Sequence, residues 1–263
     1  MNGFPVWRVR MLCRLCIVIF ISGALAARAG AYEDHLQPPD SIYTGIALFD
    51  YEIMAVKYFE QGPDWEDYDQ DLLASVIVLP SFVREYRIGL KYTKGKYRIA
   101  TITPEVMLFM FYTMQQRKAD READGPDAVR KADDEFGWIK HFRDQGREPP
   151  EKLGDIRAER CARDINEALA KKVLSAWYGM LRQTRYTDDP MAGKGLDGTN
   201  YYFTMTMAGF VMSGKAWSPP EDSRTGRLVA MAESMRRYCL GGGVDVARKL
   251  TQQADDLLRR LEN

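Results

Sequence analysis

The clearest β signal in the first half of the chain is Ser75 to Leu79 (SVIVL), a β-branched run that predicts a buried strand ended by Pro80. Arg84 to Lys91 then alternates, with Tyr86, Ile88 and Leu90 on one face against Glu85, Arg87 and Gly89 on the other. A turn at Lys94-Gly95-Lys96 leads into Tyr97 to Thr103, which alternates again, so the three segments predict an antiparallel meander. Upstream, Ile42 to Phe59 fits a short strand followed by a helix, broken at Gly62-Pro63-Asp64. Downstream, the continuous apolar character of Glu105 to Thr113 suits a buried helix or a strand equally.

The second half has clearer periods. Ile165, Leu169, Val173, Trp177 and Leu181 recur every four residues, and Asp164-x-x-Glu167 has the form of an acidic capping box, so a helix is predicted over 164 to 184. Thr199 to Met207 alternates, with Tyr201, Phe203, Met205 and Met207 sharing one face, and this predicts a strand with one face buried. A partner strand is predicted from Phe210 to Trp217, bent or turned at Ser213-Gly214. Two helices follow, 227 to 239 stopped by Gly241-Gly242-Gly243, and 244 to 262 with a stripe of Ala247, Leu250, Ala254, Leu257 and Leu261. These elements predict an α+β fold: one domain over 42–263, an antiparallel sheet of meander plus later hairpin, covered by amphipathic helices. Between 115 and 150 charged residues of both signs dominate, and the stretch reads as a charged surface insertion of solvated helix, tacked down by Phe136, Trp138, Ile139 and Phe142.

The N-terminus breaks this pattern. Arg8, Arg10 and Arg14 precede an apolar run from Leu15 to Ala26, and small residues offer A-x-A sites from Ala24 to Ala31. That order is the pattern of a secretory signal peptide over 1–29, with cleavage between about 26 and 31. The run is shorter than the roughly 20 residues that a membrane span requires. Cys13 and Cys16 lie at or before its start, which disfavours lipidation, and Arg8-Val9-Arg10 is not a twin-arginine pair, so Sec-type export is expected. Residues 30–41, with Pro38-Pro39 and no apolar period, are expected to be a flexible lead-in.

Loss of the signal would change the charge and the cysteine count. Four of the 37 basic side chains would leave with it against 37 acidic ones that stay, giving a mildly acidic mature chain. Without a basic run, nucleic acid is not an expected partner. With no second apolar segment of spanning length, no membrane span is expected after cleavage. Cys161 and Cys239 would remain, and in an oxidising compartment their pairing as a disulfide is favoured over two buried thiols.

Familiar catalytic sets are not assembled in the sequence. The chain has two histidines, His35 and His141, and neither is accompanied by a G-x-S-x-G elbow. Zinc spacings are missing after the signal, and the acidic stretch from Asp64 to Asp71 lacks the glycine and terminal glutamate of a calcium loop. No cofactor and no metal are therefore expected. The one enrichment is an aromatic and polar cluster in the second half, from which Trp177, Tyr186, Asp197, Tyr202 and Trp217 are the candidate binding residues. An ordinary hydrophobic core is the commoner use of such residues, since Trp177 and Tyr201 lie on apolar stripes.

Leu79-Pro80-Ser81-Phe82 with Glu85, the segment Trp177 to Tyr186, Gly195-Leu196-Asp197-Gly198-Thr199, and Trp217-Ser218-Pro219 together form a pattern. It resembles that of small uncharacterised exported proteins of Gram-negative bacteria, over about half of the mature chain in scattered blocks. The resemblance implies a periplasmic setting and carries no activity or functional residue. The expected function is a non-catalytic periplasmic binding or protein-interaction module, an immunity-type protein being one form, with an unknown protein or envelope component as partner. The alternative is a carboxylate-based hydrolase acting on cell-envelope polymers, since two carboxyls facing across a cleft leave no mark in a sequence.

Overall fold

The computed structural model describes residues 34–39, 49–61, 71–122, 137–186 and 197–262. The signal segment and residues 123–136 lie outside the described residues. Helix α1 (Phe49–Gln61) is followed by strands β1 (Leu72–Pro80), β2 (Tyr86–Thr93) and β3 (Lys96–Pro104). Helices α2 (Leu108–Glu122) and α3 (Gly137–Asp144) lead to β4 (Ala158–Asp164) and α4 (Glu167–Leu181). The hairpin β5 (Thr199–Met207) and β6 (Phe210–Trp217) precedes α5 (Arg224–Gly241) and α6 (Val244–Glu262). The six strands form one antiparallel sheet in the order β4-β3-β2-β1-β5-β6, so the fold is α+β as expected. No helix among the described residues is long and apolar enough to cross a membrane.

Strand β1 holds the centre because both of its faces are apolar. Val76 and Val78 enter one core, with Ile88, Phe203, Trp177 and the inner faces of α4, α5 and α6. Ile77 and Leu79 enter a second core, with Ala100, Ile102, Tyr202 and residues of α1, α2 and α3. Each fully buried aliphatic side chain contributes about 1.5–3 kcal/mol. Helices thus cover both faces, whereas the sequence pattern assigned only 164 to 184, 227 to 239 and 244 to 262 to the sheet. Residues 108–113 of the ambiguous segment form the start of α2. Ile139 and Phe142 of α3 are buried in the second core and fasten their part of the charged stretch, as expected.

Four other expectations are corrected. The helix over 164 to 184 does not begin with a capping box at Asp164. Asp164 ends β4, and the cap is Asn166, whose Oδ1 accepts the Ala168 and Leu169 amides at 2.8 and 3.4 Å. Strand β5 is buried on both faces, because Tyr202 is only 8 % exposed and packs under α1 and α2. The later hairpin turns at Ala208-Gly209, with φ of 49° and 84°, while Ser213-Gly214 lies within β6. Lys94 and Gly95 adopt the same left-handed pair in the first hairpin, the geometry that follows the twist of the strands.

The fourth correction concerns residues 34–39, expected to be part of a flexible lead-in. Leu36 is fully buried in the first core, and Gln37 exchanges two backbone hydrogen bonds with Lys215 on the outer edge of β6. One buried leucine suffices to anchor so short a segment, and it leaves no period to read.

Cys161 on β4 and Cys239 on α5 form the expected disulfide, with Cα atoms 6.0 Å apart. The bond fastens an edge strand of sequence AERCARD that has no β-branched residue. By the loop-entropy argument its ceiling is roughly 4 kcal/mol.

Candidate functional site

Three of the four sequence blocks that carry the resemblance meet at one end of the sheet, where β1 ends and β5 begins. Ser81 follows β1, and its Oγ donates to the Gly198 carbonyl at 2.8 Å and accepts the Gly198 amide at 3.0 Å. Thr199 and Ser218 are joined in turn, since the Thr199 amide donates to Ser218 Oγ at 2.8 Å and the Ser218 amide to the Thr199 carbonyl at 2.9 Å. Gly198 is required here, because a Cβ would lie 2.6 Å from both Ser218 Oγ and Trp217 Nε1. Ser218 itself has φ of 37°, an unfavourable conformation for a residue before proline, held by these bonds. The end is a fixed constellation of backbone and hydroxyl contacts, with Phe82 and Val83 left outside it, 74 % and 58 % exposed.

Beneath this end two acids lie on the α1–α2 side, Glu85 buried and Glu52 partly so. Glu85 is fully buried, and its carboxylate accepts the Leu108 and Phe109 amides at 2.7 and 2.9 Å, together with the Tyr51 hydroxyl. It therefore caps the first turn of α2 and ties α1 to it. Burial pushes the Glu85 carboxyl above the usual range, against the pull of those donors. Glu52 of α1 accepts Asn200 Nδ2 at 2.8 Å, Lys215 Nζ at 3.2 Å and the Tyr202 hydroxyl. Lys215 is 2 % exposed, and its ammonium sits 4.7 Å from the Tyr202 ring centroid. Burial lowers its pKa, and Glu52 opposes that shift.

On the opposite side of the same end, a groove of about 660 Å³ runs between the ends of β5 and β6 and helices α5 and α6. Tyr201, Ser218 and Pro219 form its wall beside the sheet. Glu221, Asp222 and Glu233 supply carboxylates, and Arg227, Arg237 and Lys249 supply cations. Glu233 is held as an acceptor by the Tyr86 hydroxyl, and the Arg236 guanidinium stacks 3.9 Å from the Tyr86 ring centroid. Burial, and then the Glu233 charge, push the Tyr201 phenol up, so it stays a protonated donor. This wall presents charges of both signs and a hydroxyl.

The structure does not bring the five candidate residues together. Trp177 is fully buried on α4, edge-on to Phe203 at 5.4 Å, and belongs to the first core. Tyr202 lies on the other face under α1. Asp197 is exposed beside Gly198, whose near neighbour is Trp217, so these two share the loop end. Tyr186 is 63 % exposed beyond α4. The sequence reading missed Glu52, Lys215 and Glu233. A lysine in the middle of a strand between Gly214 and Ala216 was the one available signal, and it gains meaning only once the hairpin register sets Lys215 opposite Tyr202. Comparison with protein-family models, with curated proteins and with solved structures gives no match for this chain.

Proposed function

We propose that the protein is an exported, non-catalytic binding module that engages a protein of the cell envelope through the loop end of its sheet. The observation that carries this reading is the pairing of exposed Phe82 and Val83 with the charged groove that opens at the same end, on the far side of the Ser81–Gly198–Ser218 contacts. An apolar anchor beside a charged, polar groove is the anatomy of a protein interface. The apolar run behind Arg14 and the Cys161–Cys239 disulfide support an oxidising, extracytoplasmic setting. An immunity-type protein that caps an envelope-directed toxin is one form of this reading.

A carboxylate-based hydrolase is the second reading, favoured by Glu221, Asp222 and Glu233 beside Tyr201 in one groove. Capture by the immobilised chain beginning at residue 30 separates the two, with envelope extract and sedimented envelope polymer offered separately. The binding reading expects a defined protein partner, lost at least tenfold when Phe82→Asp and Val83→Asp are combined. Retention or cleavage of polymer, abolished by Glu233→Gln, selects the hydrolase. Recovery of neither partner nor polymer overturns the proposal.

A further inference from the structure

Residues 34–39 form a strap across three elements. Asp34 accepts the Arg224 amide at the start of α5 at 3.1 Å and pairs with its guanidinium at 2.9 Å. Leu36 seats over Gly214 of β6, where an added Cβ would lie 2.8 Å from the leucine Cβ, and its carbonyl accepts the Arg185 amide at 3.0 Å. Gln37 completes the closure by pairing with Lys215, its amide donating at 2.9 Å and its carbonyl accepting at 2.6 Å. Only one side chain of the strap is deeply buried in the core, so a few contacts hold it.

His35 is the discordant member. Both of its ring nitrogens are buried and make no hydrogen bond. The charged groups that face it are Arg224 from α5 and Arg185 from the segment after α4, with Asp34 on the strap itself. The Lys215 ammonium of β6 is turned to the opposite face of the sheet, toward Glu52. A protonated imidazole would thus stand, with no acceptor for either ring N–H, beside two guanidinium groups and one carboxylate already engaged by Arg224.

We propose that residues 34–39 are a displaceable strap over the β6 edge, closed while His35 is neutral and released when His35 is protonated. Release would bare the Lys215 backbone edge and the Leu36 seat over Gly214. The physical sign agrees. Burial first, then Arg185 and Arg224, lower the His35 pKa against the pull of Asp34. A group lowered in this way holds its site closed above the ordinary histidine value of about 6.5 and loses that hold as pH falls through the window below it. At pH 5.5 a free imidazole is about ten parts protonated to one neutral, so the closing equilibrium weakens by up to about tenfold. The proposal concerns the chain alone and does not rest on the binding reading.

The test is amide hydrogen exchange, corrected for intrinsic rate, with NMR titration of the two histidines in the chain that starts at residue 30. The Lys215 amide, which donates to Gln37, is the reporter, and the Ile88 amide in the central sheet is the control. Protection at Lys215 is expected to fall severalfold, up to about tenfold, between pH 7.5 and 5.5, with Ile88 unchanged and the His35 ring titrating below 6.5. In His35→Gln the Lys215 protection is expected to lose that pH step. Equal protection at both pH values, the same step in His35→Gln, or a parallel loss at Ile88 would each overturn the proposal. If His35→Gln does not fold, the wild-type comparison of Lys215 with Ile88, and the position of the His35 titration, still decide it.

Discussion

The two faces of the sheet are fastened by different physics. Against α4, α5 and α6 the contact is mainly apolar, with Trp177, Phe203, Leu228, Met231, Met235 and Leu257 each fully buried, and the Tyr86 hydroxyl on Glu233 adds a polar tie. Against α1 and α2 the sheet carries an apolar core crossed by buried polar groups. Glu52 is gripped by Lys215, Asn200 and Tyr202, Glu85 caps α2, and Arg87 donates to Ser75 Oγ at 3.3 Å and to the Phe59 carbonyl at 2.6 Å. Area burial is non-directional and repacks after small changes. A buried charge fixes one register and one helix position, and it becomes a penalty as soon as its partner is lost. The first face should therefore fail gradually, and the second abruptly.

The sharpest contrast comes from Glu52→Ala, which strands the Lys215 ammonium in a dry site. A loss of about 3–5 kcal/mol is expected in urea unfolding. Combining Glu52→Leu with Lys215→Met should restore most of it, and no restoration would mean that the pair is not what holds α1. Leu228→Ala on the apolar face is expected to cost about 3 kcal/mol through its cavity. That loss should be the same at low and high salt, and a salt-dependent value would blur the distinction between the faces. Glu85→Gln tests the pH sign. With the Glu85 pKa raised in the fold, its contribution is present below the ordinary glutamate value and is lost as pH rises through the raised one. Wild-type stability relative to Glu85→Gln should therefore decline with rising pH across that window, and parallel pH profiles would remove Glu85 from the account. The smallest effect lies away from both faces. Ala208 sits at φ of 49° in the β5–β6 turn, and Ala208→Asn should stabilise by roughly 1 kcal/mol in the same unfolding assay.

The apolar face was the legible one. Its stripes in α4 and α6 and the alternation of β2 and β5 are local patterns, and local patterns survive in a single sequence. The other face is built from encounters between distant residues. Glu52 meets Lys215, and Glu85 meets the amides of Leu108 and Phe109, and nothing near any of them marks the meeting. Glu85 and Arg87 had the alternation of a solvated face, yet they are 0 % and 6 % exposed because α1 and α2 lie over them. Strand β4 was illegible for a different reason. An edge strand with charges at Glu159, Arg160, Arg163 and Asp164 is guarded against pairing with other chains, and the same charges hide it from a β-propensity reading. At the loop end, the alternation and turn chemistry around Asp197-Gly198 placed the backbone correctly. Trp177 and Tyr202 were separated only by their packing on opposite faces.

The disulfide has a mechanical consequence. Joining residues 161 and 239, it takes the second half of β4, α4, the β5–β6 hairpin and nearly all of α5 out of the load path of a molecule pulled from its ends. The oxidised chain should then surrender roughly 270 Å less extension than the reduced one, at about 3.4 Å for each of the 78 residues shielded. Helix α6, outside the closed ring, should peel first.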